Sequence, residues 1–373
     1  MKKDFQSLAN ENIRHLTPYQ PGKPIEELER ELGITSSIKI ASNENPLGPS
    51  PLAMQAVQRD LHKSHIYPDG GCYELKQAIS RFLNVQPEQI TVGNGSENIL
   101  ELIVKAYLQQ GDHAVISQYA FLTIPILIKS YGAIAKVVPA KNWGHDITEM
   151  INAVDDKTRV LFLVNPNNPT GTFTNTKNFE HLMQSVPPHV LVVVDEAYSE
   201  YITREDYPNA LSYLAQYPNL VISRTFSKVY GLAALRLGFA VSSPEIADML
   251  NRARLPFNVN HFASKAGCAA LADKEYVAKS VQVNLSGMVQ LEAGLKKLNL
   301  EYIPSLGNFI AIDVGDAAAV YQKLLLEGVI VRPLVAYGMP RHIRVTIGTS
   351  DQIDRFLQSI EKIVCYSTET ARS

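Results

Sequence analysis

Cysteine is scarce in this sequence. Its 373 residues include three, Cys72, Cys268 and Cys365, which lie far apart. Their odd number and wide spacing argue against a disulfide framework and favour a reducing, cytoplasmic setting. No apolar run reaches the roughly 18 residues that a membrane-spanning helix needs, so no membrane association is predicted. The N-terminus is charged with no apolar stretch behind it, so a signal peptide is not predicted either.

Strong net charge and several common catalytic motifs are also missing. The 35 Lys and Arg residues nearly balance 37 Asp and Glu residues, and they form no basic runs, so nucleic-acid binding is not predicted. The nine histidines lack metal-ligand spacing with the cysteines, and no metal site is predicted. There is no Gly-x-Ser-x-Gly elbow, and Asn98 stands where a dinucleotide-binding Gly-x-Gly-x-x-Gly would need its third glycine.

The fold class is indicated by alternating helical and strand-like segments from about residue 50. Continuous apolar runs at 159–164 and 190–194 are typical of parallel strands buried on both faces. We therefore predict an α/β protein whose large domain, residues 48–260, contains a doubly wound, mostly parallel sheet. A smaller α+β domain would combine the N-terminal arm, 1–47, with residues 261–373.

Shorter elements are predicted outside the large domain. A helix at 25–32 should end at Gly33, and a short strand should follow at 38–40. Helical patterns fill 262–300. Strand candidates then follow at 308–314, 329–332 and 342–347, before a last helix at about 352–364.

Lys228 and Arg236 are the most informative cations in the chain. They follow the strand-like stretch 220–223, in a segment too apolar for a solvated basic patch. An amine in apolar surroundings loses its charge readily and can attack a carbonyl, whereas a guanidinium stays charged and suits a phosphate. A lysine that bonds an aldehyde, beside an arginine that holds a phosphate, indicates a pyridoxal 5'-phosphate site.

Asp195 directly follows the apolar run 190–194. An aspartate there is commonly a cap or turn residue, but its position also suits a buried carboxylate that pairs with the protonated pyridine nitrogen. Tyr198 would then reach the phenolic oxygen of the cofactor. Asn168 lies in the turn at 165–171, where two prolines fix the backbone and could aim its amide at the same oxygen; a plain tight turn is the alternative.

A glycine-containing loop joins a strand to a helix at 93–97. The N–H groups of Gly95, Ser96 and Glu97 are candidates for binding the phosphate, because a helix N-terminus attracts anions. The Glu97 carboxylate is expected to point away from it. Phe121 either stacks on the pyridine ring or belongs to the core.

Arg332 and Arg344 lie in apolar strand candidates of the smaller domain. A guanidinium in such a strand is costly unless it meets an anion. Two arginines that face a cleft would suit a substrate carboxylate or phosphate, and a structural salt bridge is the alternative.

In order along the chain, these motifs resemble those of the fold-type I, pyridoxal-phosphate-dependent aminotransferases. The resemblance covers nearly the whole chain and is carried by residues 165–171, 195–198, 227–228 and 236–238. Within that class the sequence is most similar to the histidinol-phosphate aminotransferase family, of the class II subfamily. The segments that match this family are 16–24, 41–48 and 67–70.

The resemblance implies a homodimer with a shared active site, in which Tyr67 reaches the cofactor phosphate of the partner subunit. It implies substrate contacts from Tyr19, Asn43, Asn168, Arg332 and Arg344, and cofactor contacts from Thr225 and Ser227 beside Lys228. Phe121 occupies a place often held by Tyr, so stacking is kept and a hydroxyl contact is lost.

The implied reaction moves an amino group between glutamate or 2-oxoglutarate and histidinol phosphate or imidazole acetol phosphate, in histidine biosynthesis. Lys228, Asp195 and Tyr198 would be its catalytic residues. Two alternatives are open: an aromatic amino-acid aminotransferase, and a pyridoxal-phosphate-dependent decarboxylase of a phosphorylated amino acid. A non-enzymatic regulator that binds the same cofactor is disfavoured, because the chain has no spare length or basic region for DNA binding.

Overall fold

The computed structural model describes residues 4–18 and 21–370. Its strands are β1 (Ile38–Lys39), β2 (Ile90–Gly93), β3 (His113–Ser117), β4 (Ile134–Val138), β5 (Thr158–Val164), β6 (Leu191–Asp195), β7 (Leu220–Thr225), β8 (Gly238–Val241), β9 (Tyr302–Ile303), β10 (Phe309–Asp313), β11 (Val329–Ile330), β12 (Arg332–Pro333) and β13 (His342–Thr346). Its α-helices are α1 (Phe5–Leu8), α2 (Glu11–Arg14), α3 (Ile25–Leu32), α4 (Pro51–Asp60), α5 (Tyr73–Leu83), α6 (Ser96–Tyr107), α7 (Thr123–Ser130), α8 (Ile147–Asn152), α9 (Thr176–Ser185), α10 (Pro244–Ala253), α11 (His261–Ala272), α12 (Lys274–Lys297), α13 (Ala317–Leu326) and α14 (Ser350–Thr370). Within these described ranges, no helix combines the length and apolar character needed to cross a membrane.

Local chemistry explains where several helices begin and end. Ser50 precedes α4 and accepts a hydrogen bond from Ala53 N at 3.3 Å, and Pro51 opens that helix with its fixed φ. Asn260 caps α11 in the same way, by accepting from Ala263 N at 2.8 Å. Each such cap stabilises a helix by about 1 kcal/mol. Gly33 ends α3 in the left-handed region at φ 64°, as the sequence predicted.

Seven strands form the central sheet, in the order β2-β8-β7-β6-β5-β3-β4. The five strands from β4 to β7 in this order run parallel, and β8 is antiparallel to both of its neighbours. Helices cover both faces of the sheet. The predicted α/β class with a mostly parallel sheet is confirmed.

Alternate residues of the central strands enter two different cores. In β5, Leu161 and Leu163 pack on one face with Phe179 of α9, while Phe162 packs on the other face with Ile103 of α6. All of these side chains are buried. Burial of each contributes about 1.5–3 kcal/mol, and the requirement for apolar groups on both faces explains the unbroken apolar runs in the sequence.

The remaining strands form a four-stranded sheet, β12-β13-β10-β9, and a parallel pair, β1-β11. The prediction of one strand over 329–332 is wrong, because β11 pairs with β1 whereas β12 pairs with β13. The chain changes sheets at the buried Val331. The domain division at 48–260, 1–47 and 261–373 stays a prediction, as does the cytoplasmic location.

Candidate active site

A cavity of about 330 Å³ lies where the carboxyl ends of β5, β6 and β7 approach the N-terminus of α6. Most of the site residues predicted from sequence line it: Asn43, Ser96, Glu97, Phe121, Asn168, Asp195, Tyr198, Thr225, Ser227, Lys228, Arg236, Arg332 and Arg344. Parallel strands end at the same edge of a sheet, so residues far apart in sequence meet there. The arginines at 332 and 344 are brought to it by the antiparallel four-stranded sheet.

Three predicted site residues do not line this cavity. Gly95 lies beside it at φ +88°, where a side chain is strained, and a Cβ at that position would lie 2.7 Å from Arg236 Nη2, so any other residue would force the guanidinium to shift. Tyr67 is 79% exposed and stacks on Phe257, with ring centroids 4.6 Å apart. It therefore faces away from the cavity of its own chain. Tyr19 lies outside the described residues.

Lys228 is half-buried and lines the cavity. Its Nζ donates to Ser42 O at 3.2 Å and lies 5.9 Å from the ring centroid of Tyr198. Burial, reinforced by the positive charge of Arg344, lowers the Lys228 pKa to about 8. A lysine in this state supplies a neutral amine near physiological pH, which a nucleophile or a general base requires.

The Asp195 carboxyl group is buried at the end of β6. Its Oδ1 has no hydrogen-bond partner among the described residues. Burial raises the Asp195 pKa to about 7, and the neighbouring Glu196 adds to this effect. A buried carboxylate with an unused oxygen is costly unless a cation or a strong donor meets it, so this position suits a protonated ring nitrogen.

The Tyr198 hydroxyl is held by two amides. Asn43 Nδ2 donates to it at 2.9 Å and Asn168 Nδ2 at 3.2 Å. Asn168 Oδ1 accepts from Arg344 Nη1 at 2.5 Å, and Asn43 Oδ1 accepts from Thr346 Oγ1 at 3.3 Å. Tyr198, in the turn that follows β6, is thus connected to β13 of the smaller sheet through two short hydrogen-bond paths.

At the opposite end of the cavity, hydroxyl groups and a guanidinium surround the start of α6. Thr225 Oγ1 donates to Ser227 Oγ at 3.0 Å, and Ser227 N donates to Thr225 Oγ1 at 3.1 Å. Arg236, itself in the left-handed region, is held by a bond from its Nη1 to Ala233 O at 3.0 Å. N–H groups, hydroxyls and a guanidinium around a helix N-terminus suit a phosphate.

The expectation that the Glu97 carboxylate points away from this end is wrong. Its Oε2 lies 3.3 Å from Arg236 Nη2, and its Oε1 accepts from Thr123 Oγ1 at 3.1 Å. The reason is electrostatic, because the nearest carboxylate is drawn to the partly exposed guanidinium.

Arg332 and Arg344 lie directly opposite each other on β12 and β13. Arg344 is buried; its Nη2 donates to Ala41 O at 2.8 Å, and its Nε has no partner among the described residues. Adjacent like charges are unfavourable unless an anion lies between them. Both arginines line the cavity, so an anion bound there would meet both guanidinium groups.

Sequence reasoning missed two features next to these residues. Tyr337 is buried and lines the cavity from the turn that follows β12, and no pattern in the sequence pointed to it. A buried ion pair joins Glu196 Oε2 to Arg224 Nη2 at 2.8 Å, immediately beside Asp195. An arginine inside the apolar strand β7 was the available signal for this pair, which fixes the end of β7 against that of β6.

Comparison with known proteins agrees with the site. A profile of the family described as "Aminotransferase class I and II" matches residues 35–360. The chain is 53% identical over 367 residues to histidinol-phosphate aminotransferase 2 of Pseudomonas fluorescens Pf-5, covering 98% of this chain and 99% of the relative. It is 51% identical over 366 residues to the protein of the same name from Pseudomonas aeruginosa PAO1, covering 97% and 99%.

Among solved structures, the chain is similar to histidinol-phosphate aminotransferase from Sinorhizobium meliloti in complex with pyridoxal-5'-phosphate. The TM-score is 0.88 at 28% sequence identity, over 96% of this chain and 98% of that chain. The fold-type I architecture implied by the sequence motifs is thereby confirmed.

Proposed function

Because the chain belongs to the class I and II aminotransferases, we propose that it is a pyridoxal 5'-phosphate-dependent histidinol-phosphate aminotransferase. The observation that carries this proposal is the pairing, in one cavity, of the Lys228 amine with the unpartnered Asp195 carboxyl oxygen. The names of the relatives that match along nearly the whole chain support the choice of substrate.

The residues present fit pyridoxal phosphate at both ends. Asp195 Oδ1 lacks a donor that the ring N–H would supply, and the missing Cβ of Gly95 leaves the Arg236 guanidinium open to a phosphate at the start of α6. Phe121 lines the cavity between them, where its ring can stack on the cofactor. When bound, pyridoxal phosphate supplies an electron sink that stabilises negative charge on the substrate Cα.

Each residue then has a defined task. Lys228 Nζ would hold pyridoxal phosphate and would remove the proton from the substrate Cα as general base. The Asp195 carboxylate would hold the cofactor through its ring nitrogen and favour the protonated form of that nitrogen. The Tyr198 hydroxyl, oriented by Asn43 and Asn168, would hold its phenolic oxygen.

The two arginines account for a site that accepts chemically different substrates in turn. Glutamate and 2-oxoglutarate carry carboxylates, whereas histidinol phosphate and imidazole acetol phosphate carry a phosphate. A guanidinium presents a planar array of donors that can bind either anion. Arg344 and Arg332, adjacent across two strands, both line the cavity and provide this array.

The substrate assignment predicts a clear preference among amino donors. With 2-oxoglutarate as acceptor, kcat/KM for histidinol phosphate should exceed that for phenylalanine by at least roughly tenfold, because the phosphate gains charge-assisted hydrogen bonds. Glutamate formation measured in a coupled assay tests this, with histidinol as the control that lacks the phosphate. Equal or better use of phenylalanine would favour the aromatic aminotransferase, and stoichiometric release of carbon dioxide would favour the decarboxylase.

We also propose that the protein is a homodimer whose Tyr67 completes the site of the partner subunit. Tyr67 stacks on Phe257, and both Phe257 and the nearby Leu255 in the same chain segment are exposed. Arg254 Nη2 donates to Gly70 O at 2.8 Å and joins this segment to the one that carries Tyr67. A contiguous exposed apolar patch of this kind is typical of a subunit interface.

Subunit mixing tests this arrangement. The dimer should have a mass of 82.6 kDa, twice 41.3 kDa. Loss of one hydroxyl contact to a phosphate in Tyr67→Phe should weaken cofactor binding roughly tenfold.

Tyr67→Phe chains mixed with Lys228→Ala chains should form hybrid dimers. One of the two sites in each hybrid takes Lys228 from one chain and Tyr67 from the other, so this site should regain the cofactor affinity of the wild type. Tyr73→Phe, another exposed tyrosine, is the matched control. A monomer, or hybrids without regained affinity, would contradict the proposal.

A further inference from the structure

The Glu97 carboxylate lies where a phosphate would have to approach Arg236. Its Oε2 is 3.3 Å from Arg236 Nη2, and both side chains remain partly exposed, 48% for Glu97 and 40% for Arg236. The other oxygen of Glu97 accepts from Thr123 Oγ1 at 3.1 Å, at the first residue of α7. Glu97 therefore has two partners, of which only the guanidinium belongs to the phosphate end of the cavity.

We propose that Glu97 is an internal counter-ion of Arg236 that competes with the phosphate group of the cofactor and so weakens its binding. This inference rests on the proposed function, because it assigns a side-chain role within the same cofactor site. It differs from the backbone N–H contact expected from the sequence, since here the side chain opposes the anion that the backbone attracts.

The geometry allows the exchange. Arg236 Nη2 lies next to Gly95 at the start of α6 and 3.3 Å from Glu97 Oε2, so an anion bound there is close to both side chains. A carboxylate and a phosphate at such a distance repel each other. A partly exposed ion pair is weak, so the phosphate can displace the carboxylate. Thr123 gives the displaced Glu97 a partner that it keeps.

A second, purely structural role is distinguishable from this one. An acidic residue in the first turn also stabilises a helix through its dipole, and Glu97 is in the first turn of α6. If that were its whole role, removing its charge would change the stability of the fold and leave phosphate binding unchanged.

Cofactor titration of cofactor-free protein at low ionic strength tests the inference. Glu97→Gln should bind pyridoxal phosphate roughly three- to fivefold more tightly than the wild type, measured by visible absorbance. Glu101→Gln is the matched control, because it removes the same charge one turn along α6, where the carboxylate accepts from Asn98 Nδ2 at 3.1 Å. Its affinity should equal that of the wild type. The gain in affinity of Glu97→Gln for pyridoxal phosphate should shrink at high salt. It should be absent for pyridoxal, which has no phosphate.

The outcomes separate this inference from the proposed function. The inference would be overturned if Glu97→Gln bound pyridoxal phosphate no more tightly than the wild type. It would also be overturned if Glu97→Gln showed the same gain in affinity for pyridoxal. If the wild type binds no pyridoxal phosphate, the proposed function fails, and inorganic phosphate then decides the role of Glu97. A larger phosphate-induced rise in Tm for Glu97→Gln than for the wild type would support the proposed competition between Glu97 and phosphate, whereas equal rises would refute that competition.

Discussion

Lys228→Ala should lower kcat roughly 10⁴-fold and abolish the absorbance band that arises from the covalent bond between Lys228 and the cofactor. Two functions should be lost at once, because the proposed roles of this Nζ are to hold the cofactor and to remove the Cα proton. No other amine replaces it among the residues that line the cavity, where the remaining cations are arginines that stay protonated. Single-turnover absorbance of the protein loaded with pyridoxal phosphate and mixed with glutamate measures both effects.

Lys177→Ala is the control for this experiment, because Lys177 is an exposed lysine of α9. Lys228→Arg adds a second test, since it keeps a positive charge and removes the titratable amine; it should be as inactive as the alanine variant. A small primary amine added to Lys228→Ala should restore part of the proton transfer. Steady-state turnover by Lys228→Ala near the wild-type value would rule out the assigned role.

Asp195→Asn should lower kcat roughly 10²–10³-fold, the effect of removing one partner of a buried charge pair. The amide keeps the shape of the side chain but cannot hold the ring nitrogen in its protonated form, so the bound cofactor becomes a poorer electron sink. Steady-state turnover, together with the pH dependence of the absorbance of the bound cofactor, measures the loss. A variant with unchanged turnover would show that the carboxylate is structural.

The same substitution should stabilise the cofactor-free protein at alkaline pH. Burial raises the Asp195 pKa from 3.8 to about 7, so the folded state holds a proton that the unfolded chain has already released. Between these values stability falls as pH rises, by as much as about 4 kcal/mol above pH 7. Asp195→Asn removes this penalty, and its Tm should exceed that of the wild type at pH 8 but not at pH 4.

Asp206→Asn serves as the control of opposite sign. The hydrogen bond from Arg204 lowers the Asp206 pKa, and such a carboxylate contributes stability above its unfolded pKa, which is lost as pH falls. Asp206→Asn should therefore give no gain in Tm at pH 8. A gain there as large as that of Asp195→Asn would show that the effect does not come from burial.

Sequence patterns located the site residues best where local signals and topology agree. Asp195 follows an unbroken apolar run, and α3 spans the residues, 25–32, that were predicted for it. The edge strand β4 went unpredicted, because Ile134 and Val137 are exposed and its burial follows no simple alternation. The short strand β8 was also missed, because four residues that include a glycine carry little pattern.

Side-chain orientation was the least predictable part of the site. Glu97 faces Arg236, which lies 139 residues further along the chain, so no local pattern could reveal the pair. The juxtaposition of Arg332 and Arg344 depends on an antiparallel register that follows from the change of sheet at Val331. Such features depend on tertiary packing, which helical and strand periodicity do not encode.

The division of the cavity between two sheets has an evolutionary consequence. Lys228 and Asp195 belong to the central sheet and the loop that follows it, whereas Arg332 and Arg344 belong to a separate four-stranded sheet. After gene duplication, one copy can therefore acquire a new specificity through changes in the smaller sheet that keep the contacts of Arg344 and Thr346 to Asn168 and Asn43. Its inherited reaction chemistry would survive, because the strands that carry it would not have to mutate.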